Sequence, residues 1–194
     1  MYQVAVCSSF KEGNAIGKQQ VAILAKEPAQ AAWSERWRVL EGVDPPRGFA
    51  YAWFRVNNAD IGVYSVHLKS NLVMHGDKAE EAAKNVRKRE VAAKQLLTHI
   101  KDMISVAMPS VRSLVIGGDF NTSTDEFAKE ATLKALADAR FVNCMEKMPL
   151  TERITHPGNH GYPDATFDYI FVRNAKIAPP QIVATRVSDH LSGT

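Results

Sequence analysis

Several polar residues of the sequence stand beside predicted strand ends and carry side chains that can act together chemically. They are His67, Asp119, Asn121, Asp168, Asp189 and His190. Carboxylate oxygens suit a hard cation such as Mg²⁺, and a carboxylate or an imidazole can deprotonate an attacking water. An amide or an imidazolium can hold a phosphate group. An aspartate beside a histidine fixes its tautomer and favours its charged form, as Asp168 could do for His190. These residue types therefore suit the hydrolysis of a phosphate ester.

The same residues share one kind of position along the chain, next to a short apolar run. The runs and their polar neighbours are 61–66 with His67, 114–116 with Asp119 and Asn121, 167–172 with Asp168, and 182–187 with Asp189 and His190. Loops beyond the carboxyl ends of strands gather functional residues in α/β sheets. Asp168 lies at the start of its run, so it reaches that edge only if its strand is antiparallel to the others. We therefore predict a mixed sheet that brings the set together.

Each cluster taken alone has a plainer interpretation. An Asp-x-Asn segment after Gly117-Gly118 is usually a turn, because Asp and Asn adopt turn conformations readily. The two glycines are also too weak a signal for a phosphate-binding loop. A single histidine after a strand is more often a surface or core residue, and Ser-Asp-His is more often a polar terminus. The order of the four clusters and their shared place at strand ends favour the chemical interpretation.

The elements around these residues predict an α/β layered domain, because strands and helices alternate. Further β-rich runs bounded by turn residues are 3–7, 20–25 and 50–56. Residues 57–60, Asn-Asn-Ala-Asp, predict a hairpin turn, since Asn and Asp tolerate left-handed backbone angles.

Two helices are predicted between the strands. The first covers about 78–106, because Asp77 can cap it and apolar residues follow at helical spacing. The second opens at residue 124 or 125 and ends near 139. Its predicted apolar positions are Phe127, Ala131, Leu133 and Leu136.

Bulk composition is that of a globular protein with one domain over residues 1–194. Hydrophobic residues make up 45% and charged residues 23% of the chain, enough for a sizeable core. No apolar run reaches the roughly 18 residues that cross a bilayer. The first residues have the pattern of a strand and not of a signal peptide. We expect a cytoplasmic protein, unless a signal peptide lies upstream of Met1.

Charge and cysteine content narrow the function classes further. The formal net charge of +3 is mildly favourable for a polyanionic partner but far from that of a dedicated DNA-binding module. Two cysteines without a Cys-x-x-Cys spacing argue against a disulfide framework and a structural zinc site.

The clusters, in this order, resemble the motifs of the endonuclease/exonuclease/phosphatase superfamily, which has the DNase I-like fold. The matching segments are Val66-His67-Leu68-Lys69-Ser70, Gly118-Asp119-Phe120-Asn121, Phe167-Asp168-Tyr169-Ile170, Ser188-Asp189-His190 and, upstream, Gly17-Lys18-Gln19-Gln20-Val21-Ala22-Ile23-Leu24. The resemblance implies a four-layer α/β sandwich with two packed mixed sheets and helices outside. It also implies cleavage of phosphodiesters or phosphomonoesters with Mg²⁺ or Mn²⁺.

The resemblance implies roles for the matched residues in water activation and metal binding. Asp119 would orient or deprotonate the water, and Asn121 would position water or phosphate. Asp189 would contribute to the metal site. His67 would be a general acid or a donor to the transition state.

Two further roles concern the phosphate group. His190, held by Asp168, would be the general base or a phosphate-binding imidazolium. Arg47 falls where some members place a phosphate-contacting arginine, although a solvated loop arginine is the plainer interpretation.

The resemblance also implies missing elements. The family's first strands carry a metal-linked Asn and a metal-binding Glu, and its last strand follows the Asp-His motif; none has a counterpart here. We therefore expect a chain truncated at both ends, by roughly 50 residues in front. Asp189 then has no obvious carboxylate partner, and Glu12 could stand in, although its context is that of a turn. A lost strand would leave a sheet edge free to pair with another chain.

We predict a metal-dependent phosphodiesterase of nuclease type, with nucleic acid or another phosphoester as its substrate. Two alternatives stay open: a phosphatase for inositol-lipid or sphingolipid head groups, and a non-catalytic fragment that retains the fold. The other histidines receive no role, and His99 is expected on the solvated face of the long helix. Trp33, Trp37 and Trp53 are expected to pack in or beside the core.

Overall fold

The computed structural model describes residues 1–73, 76–124, 130–158 and 163–175. In these residues a six-stranded sheet carries helices on one face and a two-stranded sheet on the other. The strands are β1 (Gln3–Cys7), β2 (Lys11–Glu12), β3 (Ala15–Ile16), β4 (Ala22–Ala25), β5 (Ala29–Arg36), β6 (Gly48–Val56), β7 (Ala59–His67), β8 (Ser113–Asp119), β9 (Val142–Asn143) and β10 (Asp168–Arg173). The helices are α1 (Lys78–His99), α2 (Ser105–Ala107) and α3 (Thr132–Asp138). The predicted α/β class is confirmed.

The large sheet has the strand order β5-β6-β7-β8-β10-β9. Its neighbouring strands are antiparallel except β7 and β8, which are parallel. A parallel pair needs a long crossover, and α1 and α2 lie in that connection. The predicted mixed sheet is confirmed, and the carboxyl ends of β7 and β8 meet the start of β10 at one edge.

The predicted hairpin joins β6 to β7 through a turn of two residues. Val56 pairs with Ala59, which leaves Asn57 and Asn58 as the turn. Both have positive φ, 48° and 63°, the left-handed geometry whose twist matches the flanking strands. The turn is therefore tighter than the four residues expected, and it fixes the register of β7.

Helix α1 begins where the sequence predicts it. The Asp77 carboxylate accepts a hydrogen bond from the Glu80 N–H at 2.9 Å. The helical path continues through a π-helical segment, Ile100–Ile104, and ends with α2 at Ala107, close to the predicted end. No helix in the residues that the structure describes is long and apolar enough to cross a membrane.

The second predicted helix is shorter in the structure, where α3 begins at Thr132. Residues 125–129, which were expected to open it, lie outside the described residues. Two of its expected apolar positions, Leu133 and Leu136, are fully buried, whereas Ala131 is exposed and lies just before the helix.

Apolar packing holds the layers together on both faces of the large sheet. Between the helices and the sheet lie, among others, Tyr64, Val66, Leu96, Ile100, Leu114, Ile116, Leu133 and Leu136. Between the sheet and the β1–β4 pair lie Phe10, Val21, Ile23, Ala50, Ala52 and Phe54. Each large apolar side chain stabilises the fold by about 1.5–3 kcal/mol when buried. The described residues thus contain a helical layer and two sheet layers of the expected sandwich.

His99 is not on a solvated face, contrary to the prediction. It is buried, its Nδ1 lies 2.9 Å from the Tyr64 hydroxyl, and its ring packs on Phe49. Burial lowers the pKa of His99, so a neutral ring sits among the aromatic residues. The prediction for the tryptophans is confirmed: Trp37 is buried, and Trp33 and Trp53 pack against the core.

Several strands differ from the sequence-based expectation, and the two-residue strands β2, β3 and β9 were not predicted. Strand β5 was missed, because its Ala, Gln and Ser residues have weak strand preference and pairing with β6 imposes its conformation. Strand β8 extends beyond 114–116 and includes Asp119, which is a strand residue and not a loop residue. The predicted strand 182–187 lies outside the described residues.

Gly118 lets β7 and β8 approach closely just before Asp119. Its φ is +146°, and a Cβ there would lie 1.9 Å from the Val66 carbonyl oxygen. At Gly117 a Cβ would meet only the Tyr169 carbonyl oxygen, at 3.9 Å. The Gly-Gly pair therefore belongs to the strand, and only its second member has to be glycine.

We predict that Gly118→Ala lowers the free energy of unfolding by about 2–4 kcal/mol, because the backbone of β7 or β8 must move. Gly117→Ala is the matched control and should change it by less than about 1 kcal/mol. Chemical denaturation of both variants measures the difference. Equal losses would contradict the close approach at Gly118.

Candidate active site

Strand pairing places His67, Asp119 and Asp168 in one row across three neighbouring strands. His67 is the register partner of Asp119 between β7 and β8, and Asp168 is the register partner of Asp119 between β8 and β10. Because paired strands lie roughly 5 Å apart, register partners are direct neighbours. Three of the residues selected from the sequence therefore meet at the predicted edge.

The two carboxylate oxygens of Asp119 have different surroundings. Oδ1 accepts a hydrogen bond from the Asn121 backbone N–H at 2.8 Å. Oδ2 lies 3.6 Å from Nε2 of His67, close enough for charge interaction but too far for a hydrogen bond. One oxygen is thus held by the backbone, and the other is turned toward the imidazole.

The surroundings of Asp119 and His67 shift the pKa values of these two side chains toward each other. Burial raises the pKa of Asp119, and Asp168 raises it further, against a lowering by the Asn121 N–H and by Arg47. Burial lowers the pKa of His67, and the positive charge of Arg47 lowers it again, against Asp168. The pKa values of Asp119 and His67 therefore differ by less than those of an aspartate and a histidine in water. A smaller difference favours proton exchange between the two side chains.

A single hydroxyl fixes the start of β10. The Thr155 hydroxyl oxygen accepts hydrogen bonds from the backbone N–H groups of Phe167 and Asp168, each at 3.0 Å. His156 follows, packs on the Phe167 ring and lowers the pKa of Asp119. His156 is not among the residues predicted from the sequence, because its loop of Pro and Gly residues has no periodic pattern that would select it.

The side chain of Asn121 makes a hydrogen bond to the backbone near the row of His67, Asp119 and Asp168. Its φ is +52°, its Nδ2 donates to the Leu68 carbonyl at 3.1 Å, and its own carbonyl accepts from Asn71 Nδ2 at 3.0 Å. Asn121 therefore ties the loop after β8 to the loop after β7. Its predicted contact with water or phosphate stays a prediction.

Arg47 is buried and not solvated, contrary to the plainer interpretation of the sequence. Its Nε donates to the His67 carbonyl at 2.7 Å, and its Nη2 donates to the Leu68 carbonyl. Its Nη1 donates to Gln19 Oε1. The guanidinium thus lies against the backbone that carries His67.

A second buried arginine, Arg89, donates a hydrogen bond to the backbone of Lys69, the residue after Leu68. Arg89 is not among the residues predicted from the sequence. Arg89 pairs through Nε and Nη2 with both carboxylate oxygens of Glu130, and its Nη1 donates to the Lys69 carbonyl at 3.0 Å. Both side chains are almost fully buried, 1% and 4% exposed. The sequence does indicate that Arg89 is buried, because Arg89 lies on the same face of α1 as the buried Ala93 and Leu96. A charge on that face needs a buried partner.

Lys69, in the loop after β7, lies among positive charges from other parts of the fold. Burial lowers the pKa of Lys69, and the positive charges of Lys88, Arg47 and Arg89 lower it further, against Glu81. The Lys69 ammonium donates to the Ser70 carbonyl at 3.2 Å. Such surroundings favour an anionic ligand next to His67.

A cleft of about 680 Å³ adjoins the row. Its walls include Asn71 and Thr122, next to Asn121, and Phe167, next to Asp168. Most of the remaining wall surface is apolar, with Val86, Leu150 and Ile154 among its residues, and Arg89, Glu130 and Asp164 also line it. Its volume is in the range of sites for small molecules.

The described residues do not by themselves form a metal site. They contain no group of three or more His, Cys, Asp or Glu side chains placed to hold an ion. Asp189, the predicted metal ligand, and His190, the predicted partner of Asp168, lie outside the described residues. The roles of Asp189 and His190 stay predictions.

Comparison with solved structures identifies the fold. An endonuclease/exonuclease/phosphatase family protein from Leptotrichia buccalis matches at 17% identity and a TM-score of 0.56, over 89% of this chain and 60% of its own. The catalytic domain of human nocturnin with bound sulfate matches at 13% identity and a TM-score of 0.60, over 89% and 60%. Sphingomyelinase C from Streptomyces griseocarneus matches at 18% identity and a TM-score of 0.53, over 80% and 53%.

The predicted resemblance is confirmed for the fold, which is the DNase I-like fold of these proteins. Identities below one in five support the fold and no particular activity. The chain spans only 53–60% of the length of these three structures. No family model matches the sequence, and no curated protein does.

We predict that Glu130→Ala lowers the free energy of unfolding by about 3–5 kcal/mol, because it leaves the Arg89 guanidinium buried without its partner. The control is Asp138→Ala, which removes an exposed ion pair with Lys134 and should cost less than about 1 kcal/mol. Urea denaturation of both variants compares them. A loss at Glu130 no larger than that at Asp138 would contradict the buried pair.

Proposed function

We propose that this chain belongs to a metal-dependent phosphoesterase that hydrolyses phosphodiester bonds, most simply of nuclease type. The observation that carries the proposal is the row of His67, Asp119 and Asp168 across three strands at the edge where β7 and β8 end. The fold supports it, because the neighbours include hydrolases named as a sphingomyelinase and as members of the endonuclease/exonuclease/phosphatase family.

In this proposal Asp119 is the group that accepts the proton of the attacking water. A raised pKa makes its carboxylate a stronger base than an ordinary aspartate. The water oxygen bonds to phosphorus and its proton passes to Asp119. The bond from phosphorus to the leaving oxygen breaks, and that oxygen keeps the electron pair and takes a proton from solvent water. The Asn121 N–H keeps Oδ1 occupied, which leaves Oδ2 for the proton.

His67 acts in this proposal as a neutral hydrogen-bond donor to the phosphate. Its lowered pKa keeps the ring uncharged near neutral pH, and a neutral imidazole can still donate to the charge that develops on oxygen. This favours the transition-state donor over the general acid among the two roles that the sequence allowed. Asp168 keeps its proposed role as the partner of His190, and Asn121 that of positioning water or phosphate.

Two features bear on the substrate. The positive surroundings of Lys69 favour an anionic phosphodiester, in accord with nucleic acid. The apolar cleft beside Asn121 favours the second candidate, a phosphatase for inositol-lipid or sphingolipid head groups, because an apolar substituent would fit there. Parallel assays with plasmid DNA, RNA, a sphingolipid and an inositol phospholipid separate the candidates.

We predict that Asp119→Asn lowers kcat by about 10²- to 10⁴-fold, because the amide cannot accept the proton of water. The measurement is the release of nitrophenol from bis(4-nitrophenyl) phosphate, together with plasmid nicking. Asp138→Asn, an exposed aspartate with the same change of charge, is the control and should keep full activity. Full activity in Asp119→Asn would remove Asp119 from the reaction.

A divalent cation would supply charge neutralisation at the phosphoryl oxygen, and we propose Asp189 as one of its ligands. Treatment with EDTA should abolish hydrolysis, and Mg²⁺ or Mn²⁺ should restore it. Asp189→Ala should raise the Mg²⁺ concentration needed for half-maximal rate by at least tenfold. Full activity after exhaustive chelation would exclude metal dependence. No hydrolysis and no metal binding under any condition would favour the non-catalytic alternative.

A further inference from the structure

The backbone at Arg47 has a conformation that glycine would adopt more easily. Its φ is +67°, in the left-handed region that residues with a Cβ seldom occupy. The next residue, Gly48, is pressed against β5, where a Cβ would lie 2.0 Å from the Glu35 carbonyl oxygen. An arginine in this conformation is strained unless contacts of its side chain compensate for the strain.

The side chain of Arg47 reaches from the start of β6 to the end of β7. Its Nε and Nη2 donate to the carbonyls of His67 and Leu68, two residues in sequence. The Leu68 carbonyl also accepts from Asn121 Nδ2, at 3.1 Å. Arg47 and Asn121 therefore share one acceptor, which couples the backbone of His67 to the loop after Asp119.

The third nitrogen position of the guanidinium is engaged as well. Nη1 donates to Gln19 Oε1. Arg47 is 8% exposed, and the negative charge of Glu12 faces it along with that of Asp119. All three nitrogens thus point to protein acceptors, an arrangement that suits a fixed support more than a phosphate clamp.

We infer that Arg47 is a positioning residue, which fixes the backbone of His67 and Leu68 and places a permanent positive charge beside Asp119, and does not contact the phosphate. This inference rests on the proposed function for its kinetic part. It replaces the phosphate-binding role that the sequence suggested for Arg47.

The charge of Arg47 has a defined effect on the row. The charged groups that act on His67 are Arg47 and Asp168, with the Asp119 carboxylate 3.6 Å from its Nε2. Those that act on Asp119 are Asp168, Arg47 and His156. Arg47 lowers the pKa of both His67 and Asp119, so removal of its charge should raise both. The acidic limb of the pH–rate profile should then move to higher pH.

Two substitutions separate the charge of Arg47 from its hydrogen bonds. Arg47→Lys keeps the charge and loses the paired donation to two carbonyls; Arg47→Gln loses both. We expect Arg47→Lys to lower kcat by about tenfold or more through misplacement of His67, with its acidic limb unmoved. Arg47→Gln should lower kcat and also shift the acidic limb to higher pH.

The inhibition constant for inorganic phosphate distinguishes support from contact. If Arg47 only positions His67, this constant rises no further in Arg47→Lys than in His67→Ala, because the one phosphate contact affected is that of His67. A large rise of this constant with kcat preserved would show direct contact and overturn the inference. Unchanged kcat and pH profile in both variants would overturn it too. Arg38→Gln, which removes an exposed positive charge, is the control and should match the wild type.

A second readout does not depend on turnover. The chemical shift of a His67 ring proton, followed by NMR against pH, reports the pKa of the imidazole. This pKa should be higher in Arg47→Gln than in the wild type. Equal titration would overturn the inference, even if the wild type hydrolyses nothing. An inactive wild type with shifted titration would end the proposed function and leave the support by Arg47 intact. If Arg47→Gln does not fold, Gln19→Leu, which removes only the Nη1 acceptor, should lower kcat in the same direction as Arg47→Lys, and an unchanged kcat would count against the inference.

Discussion

The register between three strands is the constraint on which the candidate site depends. Parallel pairing of β7 with β8 brings His67 opposite Asp119, and antiparallel pairing of β8 with β10 brings Asp168 opposite the same residue. A slip of one residue in either ladder would turn one of these side chains to the other face of the sheet. The β7–β8 pair is parallel and the β8–β10 pair is antiparallel. Only this combination places the ends of β7 and β8 and the start of β10 at the same edge of the sheet.

The surrounding structure maintains this register at a local energetic cost. Gly118 permits the close contact of β7 with β8, and two buried arginines donate to three successive carbonyls, from His67 at the end of β7 to Lys69. A buried guanidinium is expensive unless it is paired, and Glu130 supplies that partner for Arg89. The negative charges of Asp119 and Asp168 oppose each other across β8 and β10. Such stored repulsion is common where a protein prepares a site for catalysis.

Sequence reasoning reached the class of fold, the mixed sheet, the hairpin and the meeting of His67, Asp119 and Asp168, because strand ends and turn residues carry local signals. It was wrong where contacts between residues distant in sequence determine the secondary structure or the burial of a side chain. Strand β5 has weak strand propensity and forms through pairing with β6. His99, which was expected on a solvated helix face, is buried against Tyr64, and Arg89, for which no role was predicted, is buried against Glu130. Arg47 could not be distinguished from a loop arginine, because its acceptors are backbone carbonyls distant in sequence.

Asp119 and its charged neighbours in the row titrate as one coupled system, and a titration of the Asp119 carboxyl carbon by ¹³C NMR measures that coupling. We expect an apparent pKa for Asp119 above the ordinary aspartate value of 3.8, and a lower one in Asp168→Asn, which removes the neighbouring negative charge. Asp138→Asn should leave it unchanged. An ordinary pKa for Asp119 that does not respond to Asp168→Asn would contradict the account.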